Sequence, residues 1–129
     1  MGELKFYKCK KCGEVFWKVV GAECDCTPSC CGEPCVALVA NTVDAAREKH
    51  VPQVTVDGAT VTVKVGEVAH PMTEPHFITM IVLVTEKGYQ IAPLTPSDAP
   101  EATFAVAEGD KPVRAYEYCN LHGLWVAEI

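Results

Sequence analysis

The four histidines of the chain stand where loops or strand ends are expected, and one cysteine accompanies the last of them. His70 and His76 flank a segment that two prolines hold in a loop, Cys119 and His122 form a C-x-x-H pair, and His50 shortly precedes a proline. Imidazole and thiolate ligands together favour iron, copper or zinc. Around Fe²⁺, four neutral imidazoles and one thiolate leave a charge of about +1 and one octahedral position open, whereas a structural site normally closes at four ligands. The set predicts an open, cationic, redox-active centre that can bind a small anion and give it an electron.

A second group of ligands lies near the start of the chain. Cys9 and Cys12 form a C-x-x-C pair, Cys30 and Cys31 are adjacent, and each pair is followed by a glycine that lets the backbone curl close to the sulfurs. Four thiolates make a tetrahedral site that suits zinc or a single iron, and the ligand set alone does not choose between them. We expect a four-cysteine site holding iron or zinc, distorted where two adjacent residues bind one ion.

Three further cysteines are left over from these two groups. Cys24 and Cys26 form a C-x-C pair that could replace one of the four sulfur ligands, and Cys35 stands alone. We keep Cys30 and Cys31 as ligands because of the glycine that follows them. The remaining three are predicted to be buried or partly exposed free thiols.

The hydrophobic pattern changes along the chain and divides it in two. Residues 1–37 are rich in cysteine and poor in large apolar residues, so a metal must stabilise them. From residue 53 the apolar period is two, with a hairpin turn at Asp57-Gly58. A short helical turn is expected over 43–48, ended by Pro52. Strands are predicted near 54–56, 61–65, 77–84, 89–94, 102–107, 113–118 and 124–127. The sequence predicts a mainly β protein, with a metal-binding domain over 1–37 and a β-sandwich domain over 38–129.

Composition excludes several classes of function. The 129 residues carry a formal net charge of −6 without a run of Lys or Arg, which argues against a nucleic-acid partner. No apolar stretch is long enough to cross a bilayer, and the first residues lack the apolar segment of a secretory signal. We therefore expect a cytoplasmic protein with no membrane partner.

These motifs resemble those of a known family. The C-x-x-C pair with a later C-C-G is similar to desulforedoxin. The segments Glu48–Pro52, His70–His76 and Cys119–Gly123 resemble the three catalytic segments of superoxide reductases. The motifs follow the order of the desulfoferrodoxins, and the resemblance covers nearly the whole chain. One departure is that family members often carry Trp and an acidic residue where this chain has Met80 and Val82, which removes no ligand.

The resemblance implies an activity and an architecture. It implies a rubredoxin- or desulforedoxin-like first domain and an immunoglobulin-like, seven-stranded antiparallel β-sandwich that forms a homodimer. It implies one-electron reduction of superoxide to hydrogen peroxide, with electrons from a rubredoxin-like donor. Iron would be held by His50, His70, His76 and His122 in a plane, with Cys119 as the axial ligand. Lys49 would supply local positive charge, and Glu48 would occupy the sixth position of the ferric form.

Two other functions are compatible with parts of the pattern. A zinc-stabilised interaction module would explain the cysteines and strands, but not the grouping of histidines with Cys119. A two-iron electron carrier without a substrate would explain both ligand sets, and it predicts a closed sixth position. Colour separates zinc from iron, because ferric thiolate sites absorb visible light and zinc sites do not.

Overall fold

The structure is a computed structural model that describes residues 4–18 and 26–129. It divides into two compact units, one ending at Val39 and one running from Ala40 to Ile129. The assignment of separate functions to domains 1–37 and 38–129 stays a prediction. The described residues contain no helix with the length and apolar character that a membrane crossing requires.

The first unit is built from short strands around two cysteine turns. Its three-stranded sheet has the order β2-β1-β5, from β1 (Phe6–Lys8), β2 (Val15–Trp17) and β5 (Val36–Leu38). A two-stranded hairpin joins β3 (Ser29–Cys30) to β4 (Glu33–Pro34).

The apolar core of this first unit is small. The buried Phe6 contacts Trp17. Another cluster of the described residues contains the buried Tyr7, Cys9 and Cys35, with Phe16 and Cys30 packed against them. Two of these five side chains, Cys9 and Cys30, are predicted metal ligands, so part of the cluster belongs to the metal site. That a metal stabilises this segment stays a prediction.

The second unit is a sandwich of two antiparallel sheets. The sheets have the orders β10-β7-β6 and β12-β11-β8-β9. Their strands are β6 (Pro52–Asp57), β7 (Thr60–Val65), β8 (Ile78–Thr85), β9 (Tyr89–Pro93), β10 (Glu101–Ala105), β11 (Pro112–Cys119) and β12 (Gly123–Glu128). The predicted mainly β fold with seven antiparallel strands is confirmed.

Alternation along the strands builds the core between the sheets. Val61, Val63 and Val65 of β7 are fully buried and pack with Ile81 and Leu83 of β8. The intervening residues of β7 are less buried, as the period of two requires. The core stiffens the end of β11, at which the predicted ligand Cys119 lies.

The predicted helical turn begins later than expected. The helix α1 spans Arg47–His50, and the chain enters it through an extended Ala46. Asn41 explains the delay, because its side chain accepts from the N–H of Val126 at 2.9 Å and donates to the Val126 carbonyl at 3.1 Å. This amide holds the connector against β12, so residues 43–45 form bends instead of a helix.

Candidate metal centres

Five predicted ligands from separate segments converge in the second unit. His50 ends α1, His70 and His76 lie in the loop between β7 and β8, Cys119 ends β11, and His122 lies in the turn before β12. One ligand atom from each lies within 4.8 Å of all the others. The structure thus brings together the whole set that the spacing singled out.

The four imidazole rings form a closed cycle of edge-on contacts. In the order His50, His70, His76 and His122, neighbouring centroids are 4.6 to 5.0 Å apart and the rings cross at 72° to 88°. His50 Nε2 lies 3.2 Å from His70 Nε2 and 3.1 Å from His122 Nδ1. Metal–nitrogen bonds of about 2.1 Å place adjacent nitrogens about 3.0 Å apart in a square and about 3.4 Å apart in a tetrahedron. The spacing fits a square of nitrogens around a common point.

Backbone hydrogen bonds select the nitrogens that face this point. Nδ1 of His50 donates to the Ala46 carbonyl and Nδ1 of His70 donates to the Pro71 carbonyl, each at 2.7 Å. A carbonyl oxygen only accepts, so each Nδ1 carries the proton and each Nε2 presents a lone pair. The Nε2 atom of His76 is buried and has no hydrogen-bond partner among the described residues. Such an orphaned acceptor beside the other nitrogens is what a metal ligand requires.

Burial keeps these imidazoles in the form that binds metal. It lowers the pKa of His70 to about 4. Burial also lowers the pKa values of His50 and His76, and the charge of His122 lowers them further. Neutral imidazole is the ligand form, so protons do not compete for these sites at neutral pH.

The sulfur of Cys119 lies on the interior side of the four rings. The residue is fully buried in the core between the sheets, and its Sγ is 3.9 Å from His122 Nδ1. Burial raises the pKa of Cys119, while the backbone N–H groups of His122 and Leu121 lower it. A bound cation would hold the thiolate form there.

A cavity opens on the other side of the rings. Its volume is 320 Å³, and its walls are Ala45, Ala46, Lys49, His50, His70, Pro71, His76 and His122. Cys119 is not among these lining residues. The ligand set therefore has an accessible face made of imidazoles and a closed face made by the sulfur, which leaves room for a small ligand.

Lys49 and Glu48 are placed differently with respect to this cavity. Lys49 lines it. Burial and the charge of His122 lower the pKa of His76, and the charge of Lys49 lowers it further. Glu48 is exposed on α1 and is not among the lining residues. Its carboxylate could reach the open face only if α1 or its own side chain moved.

Asn120 connects two of the ligand segments. Its Oδ1 accepts from the Phe77 N–H at 3.0 Å, and its Nδ2 donates to the Pro75 carbonyl at 3.0 Å. Its backbone N–H also donates to the Phe77 carbonyl at 3.2 Å. The turn that carries Cys119 is thereby tied to both sides of His76. Sequence reasoning missed Asn120, although its place inside the C-x-x-H motif was a usable signal.

The four predicted cysteine ligands meet in the first unit. The sulfurs of Cys9, Cys12, Cys30 and Cys31 lie within 4.8 Å of one another. Cys30 Sγ is 3.8 Å from both Cys12 Sγ and Cys31 Sγ. A tetrahedron with metal–sulfur bonds of about 2.3 Å has edges of about 3.8 Å, so the spacing fits a tetrahedral site.

The backbone favours the thiolate form at Cys9, whereas the pKa of Cys30 is raised, mainly by its contact with the Cys9 side chain. The N–H of Cys12 donates to Cys9 Sγ at 3.5 Å and helps to lower the pKa of Cys9 to about 6. Glycines 13 and 32 after the two pairs both have φ of +76, the left-handed conformation that glycine adopts without strain, whereas a Cβ at either position would meet no atom within 4 Å. Cys31 itself adopts φ of +54, which is uncommon for a residue other than glycine.

The three remaining cysteines have different outcomes. Cys35 is a buried free thiol, as predicted. The prediction of a free thiol is wrong for Cys26, which is disulfide-bonded. Cys24 lies outside the described residues. None of the described extra cysteines belongs to the four-sulfur group.

A family model and a curated relative point to the same family. The family model for desulfoferrodoxin matches residues 42–128. A desulfoferrodoxin from Syntrophotalea carbinolica is 45% identical over 126 residues, which cover 98% of this chain and 97% of the relative.

Solved structures show the same likeness. The crystal structure of the superoxide reductase from Treponema pallidum has a TM-score of 0.84 and 42% identity, and the match covers 98% of this chain and 100% of that one. A superoxide reductase (1Fe-SOR) from Giardia intestinalis has a TM-score of 0.57 and 32% identity, over 64% of this chain and 97% of that one.

Proposed function

The chain belongs to the desulfoferrodoxin family, and we propose on that basis that it is a superoxide reductase. Its reaction would be the one-electron reduction of superoxide, which takes up two protons to give hydrogen peroxide. The observation that carries the proposal is the accessible face of four imidazoles with a buried thiolate behind them. Both ligand groups fit iron sites of this family.

We assign the metal of the first group to iron, held by His50, His70, His76, His122 and Cys119. Iron bound there would supply the electron, and the thiolate would donate electron density that favours the ferric state. The protein's own residues would shape the site around the metal. The imidazoles leave one face accessible, the core excludes water from the sulfur side, and the cavity admits a small anion.

Lys49 would attract the substrate to that cavity. Superoxide is an anion and the chain carries a formal net charge of −6, so the electrostatic field of the whole protein opposes the approach of the substrate. Lys49→Ala should lower the bimolecular rate constant for superoxide by about 3- to 10-fold and weaken its dependence on ionic strength. Pulse radiolysis at several salt concentrations measures both. Lys64→Ala, which removes an exposed lysine from β7, should leave both nearly unchanged, and equal effects of the two substitutions would remove Lys49 from the mechanism.

Glu48 would approach the accessible face when the site is ferric. A ferric site with one thiolate carries about two positive charges, which a nearby carboxylate can offset. Glu48→Ala and Glu48→Gln should both change the visible spectrum of the ferric protein and its dependence on pH. Glu101→Ala, at an exposed position of β10, is the matched control. A ferric spectrum that Glu48→Ala leaves unchanged at every pH would exclude this role.

Several further features belong to the same proposal. The four-cysteine site would hold iron or zinc and serve as an accessory electron site or a structural one. The electron donor would be a rubredoxin-like protein, and the chain would act in the cytoplasm as a homodimer. These assignments extend the family resemblance, and each has its own test in metal content, donor-dependent reduction and solution mass.

One experiment tests the reaction itself. The purified chain is analysed for iron and zinc, reduced, and mixed with superoxide while peroxide is counted. One peroxide per superoxide consumed is expected, whereas a ratio near one-half would indicate dismutation instead. A protein that contains only zinc or does not react would overturn the proposal and favour the interaction module or the electron carrier.

A further inference from the structure

A tryptophan contacts two of the ligand segments at once. The indole of Trp125 is fully buried on β12. Its ring stacks on the His50 imidazole, with centroids 5.0 Å apart and planes 22° from parallel. Its Nε1–H donates to the His122 carbonyl at 3.0 Å. One side chain thus touches His50 by its face and His122 by its edge.

The helix side of this contact is also organised around the indole. Arg47 and His50 are three residues apart on α1 and so share a face of the helix. The guanidinium carbon of Arg47 lies 5.9 Å from the centroid of the Trp125 ring. The face of α1 that carries the ligand therefore meets the indole at two points.

These contacts limit the freedom that the ligands would otherwise have. The Ala46 carbonyl fixes the direction of the His50 Nδ1–H but leaves the ring able to rock about that bond. A flat surface against the imidazole removes this motion, because a tilted ring would lose its stacking contact. The hydrogen bond to the His122 carbonyl fixes the turn between Cys119 and β12 in the same way.

We propose that Trp125 is a positioning residue that sets the plane of the His50 imidazole and the place of His122 in the metal centre. The inference rests on the proposed metal centre, but it does not depend on the reaction with superoxide. Removing a residue that orients a metal ligand typically weakens metal binding by about 10- to 100-fold. Loss of Trp125 should therefore be visible in the metal centre itself.

The test compares two substitutions in the full-length iron-loaded protein. Trp125→Phe keeps an aromatic face for His50 but removes the N–H that reaches His122, and Trp125→Leu removes both contacts. We expect Trp125→Leu to shift the thiolate-to-iron absorption band and to speed iron release to a chelator by about 10-fold or more. Trp125→Phe should shift the band less and release iron at an intermediate rate.

A matched control separates positioning from simple loss of core packing. Phe104→Leu also shortens a buried aromatic side chain of the sandwich, and Phe104 lies on β10, which carries none of the ligands. It should lower the thermal midpoint while leaving the absorption band and the iron release rate unchanged. If the Trp125 variants behaved like Phe104→Leu, the positioning role would be wrong.

Fluorescence provides a measurement that leaves Trp125 in place. The chain has two tryptophans, so Trp17→Phe makes Trp125 the only one. Loading this variant with Co²⁺ should quench its emission more strongly than loading with Zn²⁺, because the stacked imidazole brings the cobalt close to the indole. Equal emission from the two loaded forms would overturn the contact, even if the Trp125→Leu protein failed to fold. Superoxide is absent from every step, so failure here and failure of the proposed reaction are distinguishable.

Discussion

Replacing Gly66 by alanine should displace the backbone of α1 and remove the metal, which we assign to iron, from the centre of four histidines and Cys119. Gly66 has φ of +82, and a Cβ built there would lie 2.6 Å from the Val68 carbonyl oxygen. The same Cβ would lie 2.7 Å from the Glu48 carbonyl oxygen and 2.7 Å from the Lys49 carbonyl carbon. All three contacts are with backbone atoms, so no flexible side chain can move aside.

The surrounding hydrogen bonds prevent an easy escape from this clash. The Gly66 N–H donates to the Val51 carbonyl at 3.2 Å, and the Val68 N–H donates to the Glu48 carbonyl at 3.1 Å. Moving α1 away breaks both bonds and moves His50. The strained backbone costs about 1–3 kcal/mol, and the clash or the broken bonds add to it, so we expect a total loss of stability of at least about 3 kcal/mol.

Gly58→Ala gives the control for backbone strain alone. Gly58 has φ of +59 in the hairpin turn, and a Cβ there would meet nothing within 4 Å. This variant should lose about 1–2 kcal/mol of unfolding free energy and keep its iron. Urea unfolding and iron analysis of both variants provide the comparison. Full iron occupancy in Gly66→Ala would show that α1 can shift without disturbing His50.

The ligands were predictable from the sequence because their chemistry is local. The C-x-x-C and C-x-x-H spacings, the paired prolines between His70 and His76, and the turn at Asp57-Gly58 each act over a few residues. The alternation of Val61, Val63 and Val65 predicts a strand in the same local way. Local patterns therefore sufficed to pick out the candidate ligands and the strands, whereas the meeting of the five ligands at one centre depends on the fold.

The parts that could not be predicted depend on contacts between distant segments. Asn41 delays the helix through β12, which lies about 85 positions later in the chain. The need for glycine at position 66 arises from α1, and the role of Trp125 arises from a stacking contact with His50. No spacing rule links such positions, because only the folded chain brings them together.

A buried carboxylate in the sandwich presents the opposite case, a residue that costs stability. Glu117 on β11 is 0% exposed, and neither carboxylate oxygen has a hydrogen-bond partner among the described residues. Its strand partners are Ile81 on β8 and Trp125 on β12. An unpaired polar group in such surroundings is expected to cost about 1–3 kcal/mol.

Glu117→Met should therefore stabilise the protein by about 1–3 kcal/mol at neutral pH, since methionine is of similar length and carries no charge. Burial raises the pKa of Glu117 well above its usual value. The folded state thus holds this proton more tightly than the unfolded state, so wild-type stability should fall as the pH rises from the unfolded pKa toward the folded one. Below the unfolded pKa, where both states are protonated, the charge no longer contributes and the advantage of the variant should shrink.

Urea unfolding of the two proteins between pH 4 and pH 8, at equal metal loading, measures this difference. Glu101→Met, at an exposed position of β10, should change stability by no more than about 0.5 kcal/mol at any pH. The decisive quantity is the gap between wild type and Glu117→Met, which should widen as the pH rises. A gap that stays constant would mean that the pKa of Glu117 is the same in the folded and unfolded states, which would contradict the effect of burial on this carboxyl. A wild type more stable than the variant at neutral pH would mean that Glu117 has a partner in solution that offsets its burial.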